Sequence, residues 1–166
     1  MPEPEILAAF RTSIVGRACL VERWEHSWPF VFGMRGRDWG CTIVVASPWR
    51  VIADGRTACS AEDDSQMFGR TDPFDALNEA NSLLNGRSAL AVDLDIVTAD
   101  LRIEFGSGVQ LDVFNMSSGY EAWIASFQDG GASLDLVATG GGSLSFTSNS
   151  LDPGPIKYGR PRPGVR

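Results

Sequence analysis

One histidine, three cysteines and 21 carboxylates are the groups from which this chain could build a reactive or metal-binding site. His26 stands between Trp24 and Trp28, and no Gly-x-Ser-x-Gly elbow occurs anywhere to offer it a nucleophile. A lone imidazole among aromatics reads as a packed or surface ring. Cys19, Cys41 and Cys59 make neither a Cys-x-x-Cys pair nor an even-numbered disulfide framework. They read as core residues, with a reactive thiol as the alternative. Glu62-Asp63-Asp64 lacks the ligand spacing of a calcium loop and reads as a solvated loop. Gly140-Gly141-Gly142 is not followed by a Lys-Ser/Thr pair, so it is a turn and no phosphate cradle. No catalytic residue, metal or cofactor is therefore expected. With so many acids present, a carboxylate pair working as acid and base stays open.

Two constellations remain. If residues 90–113 form a meander, Asp93, Asp95, Glu104 and Asp112 point away from its apolar face and make a negative patch. Arg102 partly neutralises that patch. Such a face suits a protein partner with a basic surface, because complementary charge accelerates encounter. The plain alternative is a solvated sheet face. The second constellation is Tyr120, Glu121 and Trp123. In a strand, Glu121 and Trp123 share one face and Tyr120 takes the other. Either the aromatics plug the core while Glu121 pairs with an arginine such as Arg102, or the three line a small ligand pocket with Trp123 stacking and Glu121 hydrogen bonding.

The elements that must hold these residues follow from periodicity. Residues 72–85 predict the main helix: Thr71 or Asp72 caps its start, Pro73 suits the first turn, Phe74, Leu77, Ala80 and Leu84 make one stripe, and Gly86 ends it. A shorter helix is expected over 4–12. β-like runs lie at 18–24, 29–34, 41–46 and 49–53, the last closing at Asp54-Gly55. Residues 54–71 read as a mobile loop. After the helix the apolar period becomes two: Leu90, Val92, Leu94 and Ile96, then Leu101, Ile103 and Phe105, then Val109, Leu111 and Val113 after the turn at 106–108. Further strands are expected at 120–127, 134–138 and 143–147. The fold class is α+β, predominantly antiparallel β.

Gly16-Arg17 and Gly86-Arg87 each open a β run, and each run leads through a hairpin to a segment bearing a tryptophan, Trp49 or Trp123, before an Asp-Gly. Repeats over 14–55 and 84–130 would each supply a β-meander with one apolar face, the two faces covering each other. The expected organisation is a single globular domain, 1–152, and a flexible Pro/Gly/Arg-rich tail, 153–166.

Gly86-Arg87, the hairpin at 101–113, Tyr120-Glu121-Ala122-Trp123 and Gly140-Gly141-Gly142 together resemble a pattern in a family of small bacterial proteins of unknown function. The resemblance spans about 14–147 and departs from the pattern in having Ala-Thr before the glycines. It implies architecture and no activity. By class alone, small β-rich bacterial proteins of this kind include immunity proteins that neutralise a toxin.

Four of the 14 basic side chains fall in the segment 153–166 and none of the 21 acids does, so residues 1–152 carry a formal −11 against −7 for the chain. A body of that charge repels nucleic-acid phosphates. No apolar run is long enough to span a membrane, and the acidic start is unlike a secretory signal, so a cytoplasmic location is expected. The leading expectation is a non-enzymatic protein-binding module, of which an immunity protein masking a toxin is one form. The alternatives are a small-molecule binder or hydrolase working through 120–123, and a structural subunit of an oligomer.

Overall fold

The computed structural model describes residues 4–148 and the backbone of 156–158. The fold is α+β with β predominant: two helices and two antiparallel sheets. The first half of the chain runs α1 (Glu5–Ile14), β1 (Cys19–Val21), β2 (Trp28–Phe32), β3 (Cys41–Val45), β4 (Trp49–Ala53) and β5 (Arg56–Ser60). The second runs α2 (Ala76–Leu84), β6 (Ala89–Leu94), β7 (Leu101–Phe105), β8 (Val109–Val113), β9 (Trp123–Asp129) and β10 (Ala132–Thr139), extended by β11 (Ser143–Ser148) and β12 (Ile156–Tyr158).

One sheet has the order β1-β2-β3-β9-β10-β11-β12 and the other β5-β4-β8-β7-β6. Each half thus gives a three-strand meander to one sheet and a hairpin to the other. The junctions match in register as well: Val45 pairs with Trp123 where β3 meets β9, and Val113 pairs with Trp49 where β8 meets β4. Alternating apolar side chains from both sheets meet in one core, where Phe32 stacks on Phe105 and Phe30 meets Trp49 edge-on. Burying each large side chain contributes roughly 1.5–3 kcal/mol. The helices close the open sides. Helix α1 packs on β6, β9 and β3, and α2 packs on β1, β5 and β4. At Gly40 the backbone of α1 comes so close that a Cβ would overlap the carbonyl oxygen of Ser13.

Several sequence expectations need correcting. The main helix starts at Ala76, not 72, because Phe74 is drawn into backbone hydrogen bonds with Ser65 and Gln66. Asp75 is its cap, accepting from the Asn78 amide. Residues 54–71 are no mobile loop at their start: Asp54 and Gly55, both at positive φ, form the tight turn of the β4–β5 hairpin. Glu62-Asp63-Asp64 is not simply solvated, since Asp63 accepts from the Ser60 amide and Asp64 holds both the Ala76 amide and Arg23. In β6 a bulge between Ala89 and Ala91 turns Leu90 outward, while Ile96 lies exposed in the following turn. Within the segment read as a flexible tail, Ile156–Tyr158 pair with β11. The rest of 153–166 lies outside the described residues.

Candidate functional site

The outer face of the five-stranded sheet carries a row of alternating charge. Arg50 on β4, Asp112 on β8, Arg102 on β7 and Asp93 on β6 are successive cross-strand neighbours. The Asp112 carboxylate accepts from Arg50 Nε and Arg102 Nε, each at 3.0 Å, and from Gln110 Nε2 at 2.8 Å. Arg50 also lies over the Phe114 ring at 5.3 Å. Burial pushes the Asp112 carboxyl up, but the hydrogen bonds from Arg102, Arg50 and Gln110 outweigh it and hold the group below the usual carboxylate range. Asp112 is therefore buried and neutralised by its two arginines rather than an outward acid, although it lines a shallow concavity with Asp93, Asp95 and Asp100. Asp93 and Glu104 are exposed, with Asp93 opposite Arg102. Asp95 is exposed but has a structural task. Its Oδ1 accepts from the amides of Val97 and Thr98, which holds its carboxyl below the ordinary range and closes the β6–β7 turn.

A more open concavity lies elsewhere, where the chain crosses between sheets. The β3–β4 connection (46–48) and the β8–β9 connection (114–122) bond each other's flanks: the Ala46 amide donates to Ala122, and the Phe114 amide to Pro48. One connection is short. The other is longer and bulges into an ST-type turn, with Ser117 Oγ accepting from the amides of Gly119 and Tyr120. Between them opens a groove of about 670 Å³ whose walls include Pro48, Met116, Tyr120 and Glu121. That volume is within the usual range for a ligand site. Ser47 also lines it, and the Ser47 Oγ is buried with no hydrogen-bond partner among the described residues.

Tyr120 and Glu121 thus stand at the groove, but not on a strand, because β9 begins at Trp123. Trp123 is not a pocket wall. It is buried, stacks on Phe10 of α1, and donates from Nε1 to the Ala99 carbonyl at 3.0 Å. Arg102, read from sequence as a partner for Glu121, is bound to Asp112. Sequence reasoning missed Met116, Ser47 and Pro48, whose only signal was the Ser-Pro turn dipeptide.

The groove end is also apolar where it meets water. Val97 is 76% exposed, Met116 74% and Tyr120 82%. Their loops adjoin: Asn115 Nδ2 donates to the Thr98 and Thr139 carbonyls, and the turn at Gly141 donates to Ser117.

Other chemically capable groups are dispersed. His26 is exposed, with Nε2 3.5 Å from the Glu25 carboxylate. Among the described residues no group of three or more His, Cys, Asp or Glu is arranged to hold a metal ion, and no helix is long and apolar enough to cross a membrane. All three cysteines are buried and free. Burial pushes the Cys41 thiol up to about 12, against the pull of Ser13 and Arg17, and pushes Cys59 to about 12 with help from Glu79 and Asp63. Cys19 is raised by burial and by Cys41. Since thiolate is the reactive form, none of them should react with Ellman's reagent at pH 8 over hours in the native protein, while all three react at once in guanidinium. Fast stoichiometric labelling of the native chain would contradict this. No protein-family model matches the chain, and no curated protein or solved structure is significantly similar to it.

Proposed function

We propose that this protein is a non-enzymatic protein-binding module that receives its partner at the end of the molecule formed by the turns at 95–99, 114–121 and 140–142. The observation that supports this most is the exposure of Val97, Met116 and Tyr120 on adjoining loops beside a groove. Leaving that apolar area in water forgoes roughly 25 cal/mol per Å², and a covering partner recovers it. Tyrosine and methionine are also residues that interfaces favour at their buried centre. The partner has a basic surface, because a body of −11 steers such a molecule in and repels anionic ones. A toxin masked by an immunity protein is one partner class of this kind. A small molecule in the groove is the second reading, favoured by the unpartnered Ser47 Oγ.

The test is affinity purification from the native host with three baits: wild type, Tyr120→Asp, and Leu20→Asp as an exposed apolar control outside the groove. A partner retained by wild type and Leu20→Asp but lost from Tyr120→Asp is the expected result. Identical retained sets for all three would sink the proposal.

A further inference from the structure

We infer that the partner meets this end of the molecule with an extended segment carrying an aromatic side chain and, about three residues along, an arginine; this rests on the binding-module reading above and names the chemistry that is recognised. Two concavities adjoin here. The first is the groove between the sheet-crossing connections, with Ala46, Pro48, Met116, Tyr120 and Ala122 in its walls. The second is the shallow hollow on the outer face of the five-stranded sheet, lined by Asp93, Asp95, Asp100, Asp112 and Arg102. They meet at one backbone hydrogen bond, from the Phe114 amide to the Pro48 carbonyl at 3.0 Å: Pro48 lines the groove and Phe114 the hollow.

Each concavity selects a different part of the segment. An aromatic ring in the groove is covered by Pro48 and meets the Met116 thioether and the exposed Tyr120 ring, both of which attract a ring beyond the area it buries. An aliphatic side chain gains the area alone. The hollow sets four carboxylates against one guanidinium, and Asp112 is already held by its arginines, so Asp93, Asp95 and Asp100 give it its negative sign. Two of these are fixed in place: Asp95 Oδ1 by the Val97 and Thr98 amides, and Asp100 Oδ1 by the Asn115 amide. Carboxylates that need no further ordering suit a planar fork of N–H donors, which arginine carries and lysine does not. The spacing follows from the chain itself. Met116 and Asp112 are four residues apart, at most about 13 Å, a distance that three extended residues and an arginine stem cover.

The probe is acetyl-Trp-Ser-Ser-Arg-amide, titrated into the full ¹⁵N-labelled chain at about 50 mM salt. Its controls are acetyl-Ala-Ser-Ser-Arg-amide and the citrulline counterpart of the probe, which keeps the shape and removes the charge. Saturable ¹H–¹⁵N shifts are expected at Ala46 and Ser47, at 116–122 and at 93–100, with the alanine peptide about tenfold weaker and the citrulline peptide about fivefold weaker. Tyr120→Ala should weaken the probe about fivefold and leave its preference for arginine over citrulline intact, with an unchanged circular dichroism spectrum. Asp93→Asn should cut that preference to about twofold and leave the tryptophan preference intact. At about 0.5 M salt the arginine preference should vanish while the tryptophan preference persists. No saturable shift, shifts confined to other surfaces, or equal binding without the tryptophan or without the arginine charge overturns the assignment. Shifts at the same residues on concentrating the protein alone would give this end to a second copy of the chain. About tenfold tighter binding of the probe by the full chain bearing Arg160→Gln, Arg162→Gln and Arg166→Gln would give it to the protein's own segment. Either result also overturns the assignment to a partner. The binding-module reading is decided separately, by the Tyr120→Asp capture result.

Discussion

Trp123→Ala is expected to destabilise the protein by about 4 kcal/mol, a large share of the roughly 5–15 kcal/mol that holds a domain together. The indole is fully buried and stacked on Phe10, so truncation opens a cavity between α1 and β9. A sharper test compares Trp123→Phe with Trp49→Phe. The two tryptophans occupy matching positions at the start of β9 and β4, in the same register against Val45 and Val113. Their Nε1 atoms differ: Trp123 donates to the Ala99 carbonyl, whereas Trp49 has no partner among the described residues. Phenylalanine at 123 removes volume and also orphans a buried carbonyl, for about 3 kcal/mol in all. Phenylalanine at 49 loses similar volume but relieves an unsatisfied donor, so about 1 kcal/mol is expected. Urea denaturation of both variants decides it, and equal losses would refute the argument. The effect should extend to binding. Ala99 is held at positive φ, and the turn it ends carries Val97, so Trp123→Phe should weaken partner binding where Trp49→Phe does not.

Asp112→Asn is the second large effect, at about 2–3 kcal/mol near neutral pH. Removing one member of a buried ion pair commonly costs 3–5 kcal/mol, because the other charge is left without compensation. Here both arginines are 40–49% exposed at the side chain, so water relieves part of that cost. The pH dependence has a definite sign. The folded-state carboxyl lies below its ordinary value, so its contribution is complete above the unfolded-state pKa of about 4 and disappears as the pH falls through the folded-state value. Wild type should therefore lose more stability between pH 5 and pH 2 than Asp112→Asn does. Asp95, which also lies below the ordinary range, contributes to the slope that remains in the variant. Parallel acid limbs for the two proteins would show that Asp112 is no charge anchor. The assay is urea unfolding at stepped pH.

The local pattern carried much of this architecture. Residues 101–105 and 109–113 alternate strictly, and the tight turn between them needs Gly108 at positive φ, so that hairpin was legible from its own residues. Residues 49–53 read equally well, and both helices were visible from their apolar stripes. Boundaries failed wherever a distant partner intervened. The backbone of Phe74 is claimed by residues 65–66 and the strand at 120–127 starts late, because Ser117 bends the chain before it.

By itself, then, the sequence determined both helices, most of the strands though not β5 or β12, and the acidic balance of the body, because these depend on neighbours at spacings of two, three and four. The tertiary structure alone decided the rest. Whether Asp112 is a surface acid or a buried anchor depends on Arg50, which is 62 residues away in the chain. Whether Tyr120 meets Pro48 across a groove depends on two connections crossing between sheets, and the pairing that brings them side by side leaves no trace in local periodicity.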